Sequence, residues 1–198
     1  MLKVGFDLDG VILYNPARIL RPLVYLVKKL FFKKKLNQFW IPQKNWQKTF
    51  WRLAHKTSIF IAPGFDDIKK LVKDKKIKAY LITGRFSYLK DDLDRWLKKM
   101  KINRTFSGIY YNQKDEQPHF FKERTVKKLG LDIFVEDNWD IVNYLYLRTS
   151  KVEVRSGKTS EVKKQCKIFW IYNIFDKKID YQYKFPILKK VVSYLAKK

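Results

Sequence analysis

Asp7 and Asp9 stand two residues apart in "KVGFDLDGVILY", at the end of an apolar run. A strand points alternate side chains to one face, so Val4, Phe6 and Leu8 can share one side while the two carboxylates lie near the other. Adjacent carboxylates repel unless a cation or a shared proton relieves them. Two later segments also put polar groups at the end of apolar runs: Thr83, Gly84 and Arg85 in "AYLITGR", and Glu136, Asp137 and Asp140 in "IFVEDNWD". Lys122 lies on a helical stretch ahead of the second segment. Such a set can hold a divalent cation on oxygen ligands. It can hold a phosphate against a hydroxyl, backbone amides and an ammonium, and it offers a carboxylate nucleophile. Taken singly, the pieces have plainer readings: a solvated strand end with a glycine turn at Asp7–Gly10, a turn at Gly84–Arg85, a helix cap at Asp140.

These residues need a scaffold that brings strand ends together. Apolar runs mark strands through Phe6 and at 78–83, 106–111, 131–137 and 167–175. Between them, apolar positions spaced three and four apart mark helices near 65–76, 87–100, 119–130 and 185–198. This alternation predicts an α/β fold, Rossmann-like, with a mainly parallel sheet flanked by helices. In open parallel sheets, ligands bind beyond the carboxyl ends of the strands. Residues 16–35 and 45–56 are further helical candidates, and the polar stretch 149–165 reads as a loop or short hairpin.

In this order and context, "DLDG", "ITGR", Lys122 and "VEDN" resemble the four signatures of the haloacid dehalogenase (HAD) phosphatase superfamily. The resemblance implies that Asp7 is the nucleophile and that Asp9 protonates the leaving oxygen and then activates water. It implies that Thr83 and Gly84, with Arg85, bind the phosphoryl group, and that Lys122 neutralises charge. Mg²⁺ would sit between Asp7, the backbone carbonyl of Asp9 and Asp137, with Glu136 direct or through water and Asp140 behind. Many members carry Asp where this chain has Glu136. Lys127 competes with Lys122 for the lysine role, and the resemblance favours Lys122, whose spacing before Glu136 matches the family better. His55 and His119 read as structural or solvent-facing. The resemblance spans roughly 1–13 and 64–148, and it divides the chain into a catalytic core, 1–13 and 64–198, and an inserted helical cap, 14–63.

The insert has its own character. Between Asp9 and Asp66 there is no acidic residue, while eleven Lys and Arg and three Trp (Trp40, Trp46 and Trp51) occur there. A cap of this composition suits a phosphate ester with an aromatic body, and its size and place resemble the 5′-nucleotidase branch of the superfamily. The expected function is therefore a Mg²⁺-dependent phosphomonoester hydrolase acting on a nucleotide or another small phosphorylated metabolite. Two alternatives stand beside it. "ARILRPLVYLVKKLFFKKK" has the pattern of a basic amphipathic helix that lies on an anionic membrane surface. The chain could also be a basic nucleic-acid-binding protein on the same scaffold.

Composition bounds these readings. The 198 residues carry 44 Lys and Arg against 19 Asp and Glu, a formal charge of +25, which attracts polyanions without choosing among them. Hydrophobic residues make up 46%, which argues against disorder. Asp7 and Asp9 interrupt any N-terminal apolar run, so no signal peptide is expected, and the single Cys166 fits a reducing, cytoplasmic setting.

Overall fold

The computed structural model describes residues 1–14, 39–56, 60–149 and 165–198. The helix expected at 16–35 and the loop expected at 149–165 lie outside the described residues, except for Thr149 and Gln165.

Six strands form one sheet: β1 (Leu2–Phe6), β4 (Ile77–Phe86), β5 (Gly108–Asn112), β6 (Ile133–Glu136), β7 (Lys167–Ile171) and β8 (Lys184–Phe185). The spatial order is β5-β4-β1-β6-β7-β8, and every pairing is parallel. This is the α/β Rossmann-like arrangement. Parallel strands covered on both faces read as continuous apolar runs, which is why the runs at 78–83 and 131–137 stand out in the sequence. Alternate residues feed two separate cores. Ala79, Leu81, Ile133 and Val135 pack on one face with Ile68, Leu93 and Val191. Tyr80, Ile82 and Phe134 pack on the other with Phe121, Val126 and Val142.

Helices α2 (Phe65–Lys73), α3 (Lys90–Lys99) and α6 (Leu188–Ala196) cover the first face, and α4 (Pro118–Leu129) and α5 (Trp139–Thr149) the second. The limits of α4 follow from its sequence: Pro118 opens it, and Gly130 closes it in the left-handed conformation at φ 57°. Helix α1 (Asn45–Lys56) falls within 14–63, the stretch that the sequence marks as an insert. Two short antiparallel strands, β2 (Leu13–Tyr14) and β3 (Phe60–Ile61), pair in a sheet of their own.

The chain runs from β1 outward to β4 and β5, then crosses to β6 on the other side of β1. The crevice beyond the carboxyl ends of β1 and β6 is therefore the topological switch point. Boundaries differ from expectation in places: the strand expected at 167–175 ends at Ile171, with a 3-10 turn at Ile174–Asp176, and β4 runs past its expected end. Strand β4 continues through Thr83, Gly84 and Arg85 to Phe86, and an irregularity in its pairing with β5 falls between Thr83 and Phe86. A bulge of this kind re-aims side chains at the edge of a site, so these residues lie within the strand rather than in a turn.

Candidate active site

The floor of the site is built at the switch point. Asp7 follows β1, its amide N–H donating to Val135 O of β6 at 2.9 Å. The chain then turns sharply, with the Ile12 and Leu13 amides returning to Leu8 O at 3.1 and 2.8 Å. Gly10 sits in this turn at φ 91°, and a Cβ there would fall 2.2 Å from Asp137 Oδ2. Only glycine combines that backbone conformation with so close an approach. Asp137 follows β6, and its carbonyl accepts a bond from Trp170 Nε1 at 3.3 Å.

Asp7, Glu136 and Asp137 are all buried and can each offer an oxygen within 4.8 Å of the others. Lys122, one turn into α4, places its Nζ 3.1 Å from Asp7 Oδ1 and 2.6 Å from Glu136 Oε2. The other oxygen of Glu136 accepts the Asp137 and Asn138 amides at 3.1 and 3.0 Å. Glu136 is thus committed on both sides and fixes the lysine. Lys127 points elsewhere, to Glu123 at 2.7 Å, with its side chain mostly exposed.

Burial, then the neighbouring Glu136, Asp137 and Asp9, push the Asp7 carboxyl well above its ordinary range against the opposing pull of Lys122. Burial likewise raises Glu136, with Asp137 adding to it and Lys122 opposing. Burial would lower Lys122, but Asp7 and Glu136 hold it above its ordinary value. The three buried carboxylates gather around the Lys122 ammonium, which contacts Asp7 and Glu136 directly. All the donors are oxygen, so the set fits a hard divalent cation.

Asp9 faces a different environment. Arg85 grips it with both prongs: Nε donates to Oδ2 at 2.9 Å and a terminal nitrogen to Oδ1 at 2.7 Å. His55 Nδ1, from the last turn of α1, lies 3.6 Å from Asp9 Oδ2. Burial pushes this carboxyl up, but Arg85 and then His55 outweigh it and hold Asp9 well below the usual carboxylate range. Arg85, expected on a phosphate, is therefore paired with Asp9 in this state. Thr83 is buried, and its Oγ1 accepts the Arg85 amide at 3.3 Å, leaving its O–H to donate. A Cβ on Gly84 would meet Pro118 at 3.1 Å, so α4 packs closely over the bulge.

Above this floor lies a cavity of about 420 Å³. Asp7, Asp9, Thr83, Arg85, Lys122 and Asp137 line its polar end; Phe39, Trp40, Phe50, Trp51 and His55 of the insert form an aromatic wall. Trp40 and Trp51 meet edge to face at 5.6 Å, and Trp51 meets His55 at 5.9 Å. Trp46 is 65% exposed and is absent from the wall. Asp140 lies exposed in the first turn of α5, its amide bonded to Asn138 Oδ1, and is outside the carboxylate cluster. His119 packs among Phe39, Phe120 and Tyr144.

His55 is the site residue that the sequence did not reveal. The available signal was its spacing: Trp51 and His55 are four apart and share a helix face. The insert is tied down beside them. Gln117, just before α4, exchanges bonds with Phe39 (2.9 Å from its amide, 3.2 Å to its carbonyl), and Arg52 pairs with Asp92 of α3 at 2.9 Å.

No protein-family model matches the chain, and no curated protein sequence does. Solved structures do share the fold. A HAD hydrolase of family IA, variant 3, from Entamoeba histolytica superposes with a TM-score of 0.59 at 12% identity, covering 100% of both chains. A HAD-superfamily hydrolase from Ehrlichia chaffeensis superposes at 0.51 and 11% identity, over 98% of this chain and 96% of that one. The architecture is thus the fold of HAD hydrolases.

Proposed function

We propose that the protein is a Mg²⁺-dependent phosphomonoester hydrolase working through an aspartyl-phosphate on Asp7. The observation that supports this most is Asp7 itself: a buried carboxylate at the switch point of a HAD-type sheet, 3.1 Å from the Lys122 ammonium and opening on the cavity floor. Phosphoryl transfer needs alignment and charge neutralisation above all. Thr83 O–H and the Gly84 amide would bind the phosphoryl oxygens, and Lys122 would offset charge on Asp7 and on the phosphate. Asp7 and Asp137, with the backbone carbonyl of Asp9, would hold Mg²⁺, and Glu136 would adjoin it while orienting Lys122. When bound, the cation supplies the positive charge that lets two anions meet.

An Asp7 oxygen attacks phosphorus as the ester P–O bond breaks. The departing oxygen keeps the bonding pair and takes a proton from Asp9, which in its resting form is an ionised carboxylate held by Arg85 and first gains that proton from solvent or from the substrate monoanion. Asp9, now a carboxylate, removes a proton from water, whose oxygen attacks the phosphoaspartate and releases phosphate and Asp7.

Residues 14–63 act in this reading as a cap. Their aromatic wall favours a substrate with a planar or apolar body, and a nucleotide is the form that best combines such a body with a phosphate ester. The test is a panel of phosphate monoesters, including nucleotides and sugar phosphates, assayed with Mg²⁺ and again with excess EDTA. Hydrolysis that needs the cation is the expected result. Absence of turnover across the panel would overturn the reading.

A further inference from the structure

Asp9 has both oxygens occupied by Arg85. A carboxylate that accepts two guanidinium bonds is poorly placed to carry a proton toward a leaving group, so the reaction needs Asp9 to be released. Arg85 cannot simply swing to water, because it is only 6% exposed. Arg85 is the buried member of this partly buried pair, and leaving its guanidinium unpaired there is unfavourable unless another anion takes the carboxylate's place. One such anion enters in every turnover. Arg85 lines the same cavity as Thr83, Gly84 and Lys122, where the phosphoryl group would sit. The guanidinium fork fits a carboxylate or a phosphate equally well.

We propose that Arg85 is handed from Asp9 to the substrate's phosphoryl oxygens on binding, so that substrate arrival itself frees the proton-transfer residue. The proposal rests on the phosphatase reading above. It makes Arg85 a binding residue whose resting partner is Asp9. It also gives His55 a place: on the insert, 3.6 Å from Asp9 Oδ2, it still faces the carboxylate after Arg85 has turned away.

The handover can be tested by binding alone. Inorganic phosphate is titrated calorimetrically, with Mg²⁺ present, into wild type, Asp9→Asn, Arg85→Met and the double variant. Phosphate then competes with the residue-9 side chain for one guanidinium. Asp9→Asn should bind phosphate more tightly by at least about fivefold, near the low end of coupling between residues in one network. Arg85→Met should bind it more weakly, and in that background the Asp9→Asn gain should vanish. Arg85→Gln serves the same cycle if circular dichroism shows Arg85→Met to be unfolded. An equal gain in both backgrounds would mean that Asp9 merely repels phosphate, and would overturn the handover. So would wild-type phosphate affinity in the Arg85 variant. In both cases the phosphatase reading stands. If phosphate binds none of the four proteins, the handover and the phosphatase reading both fall.

Discussion

The Lys122 ammonium lies 3.1 Å from Asp7 Oδ1, whereas Lys127, five residues on along the same helix, pairs with Glu123 on its exposed side. Lys122→Met should therefore remove turnover and destabilise the fold, since breaking a buried ion pair costs about 3–5 kcal/mol. Lys127→Met removes an exposed helical pair worth about 0.3–0.5 kcal/mol and should leave turnover unchanged. Steady-state rates and thermal melts of the two variants make the comparison. Loss of activity in Lys127→Met, with Lys122→Met active, would reverse the assignment.

Gly10→Ala should destabilise the protein and impair the site together. The side chain would need a positive φ, costing about 1–3 kcal/mol, and would collide with the Asp137 carboxylate. At roughly 2–4 °C per kcal/mol for a chain of this size, Tm should fall by several degrees. An unchanged melt would show that the turn differs from the one described.

Without divalent cations, Asp7 burdens the fold at neutral pH. Burial raises its folded-state pKa above the unfolded value. A group shifted upward favours folding while protonated, and this advantage is lost as pH rises from the unfolded toward the folded pKa. Asp7→Asn carries no such penalty. Its Tm should exceed that of wild type at pH 7 in EDTA, and the gap should narrow as pH falls toward about 4, near the unfolded carboxyl value. A variant less stable than wild type at pH 7 in EDTA would contradict the charge balance assigned to the site.

The aromatic wall makes a prediction that separates the tryptophans of the insert. Trp40 and Trp51 line the cavity and Trp46 does not. If the wall stacks on a base, Trp51→Ala should lower kcat/KM for a nucleotide roughly tenfold, within the range of base–aromatic stacking. Trp46→Ala should leave it near wild type. Circular dichroism guards against misfolding, and equal losses in both variants would argue that the wall only packs the insert.

Much of this arrangement could be read from the chain. The strands around Phe6, Leu81 and Val135 are buried on both faces, so their apolar runs stand out, and each motif sits at the end of such a run. The two-residue strands β2, β3 and β8 carry too little pattern to be seen. The Asp9–Arg85 pair joins residues 76 apart through the parallel pairing of β1 with β4, and the bulge after Thr83 turns Arg85 toward the carboxylate. Nothing local announces that contact. His55 was hidden for the same reason: its partner is set by how α1 docks, through Arg52 and Asp92, and by nothing within "RLAHK".

The central claim is that Asp7 is the phosphoryl acceptor, and the most direct measurement is the Mg²⁺-supported turnover of Asp7→Asn beside wild type, on a phosphate monoester that wild type hydrolyses. The amide is a poor nucleophile but nearly isosteric, so the account predicts a rate at the uncatalysed background with circular dichroism unchanged. Near-wild-type turnover by Asp7→Asn would contradict it.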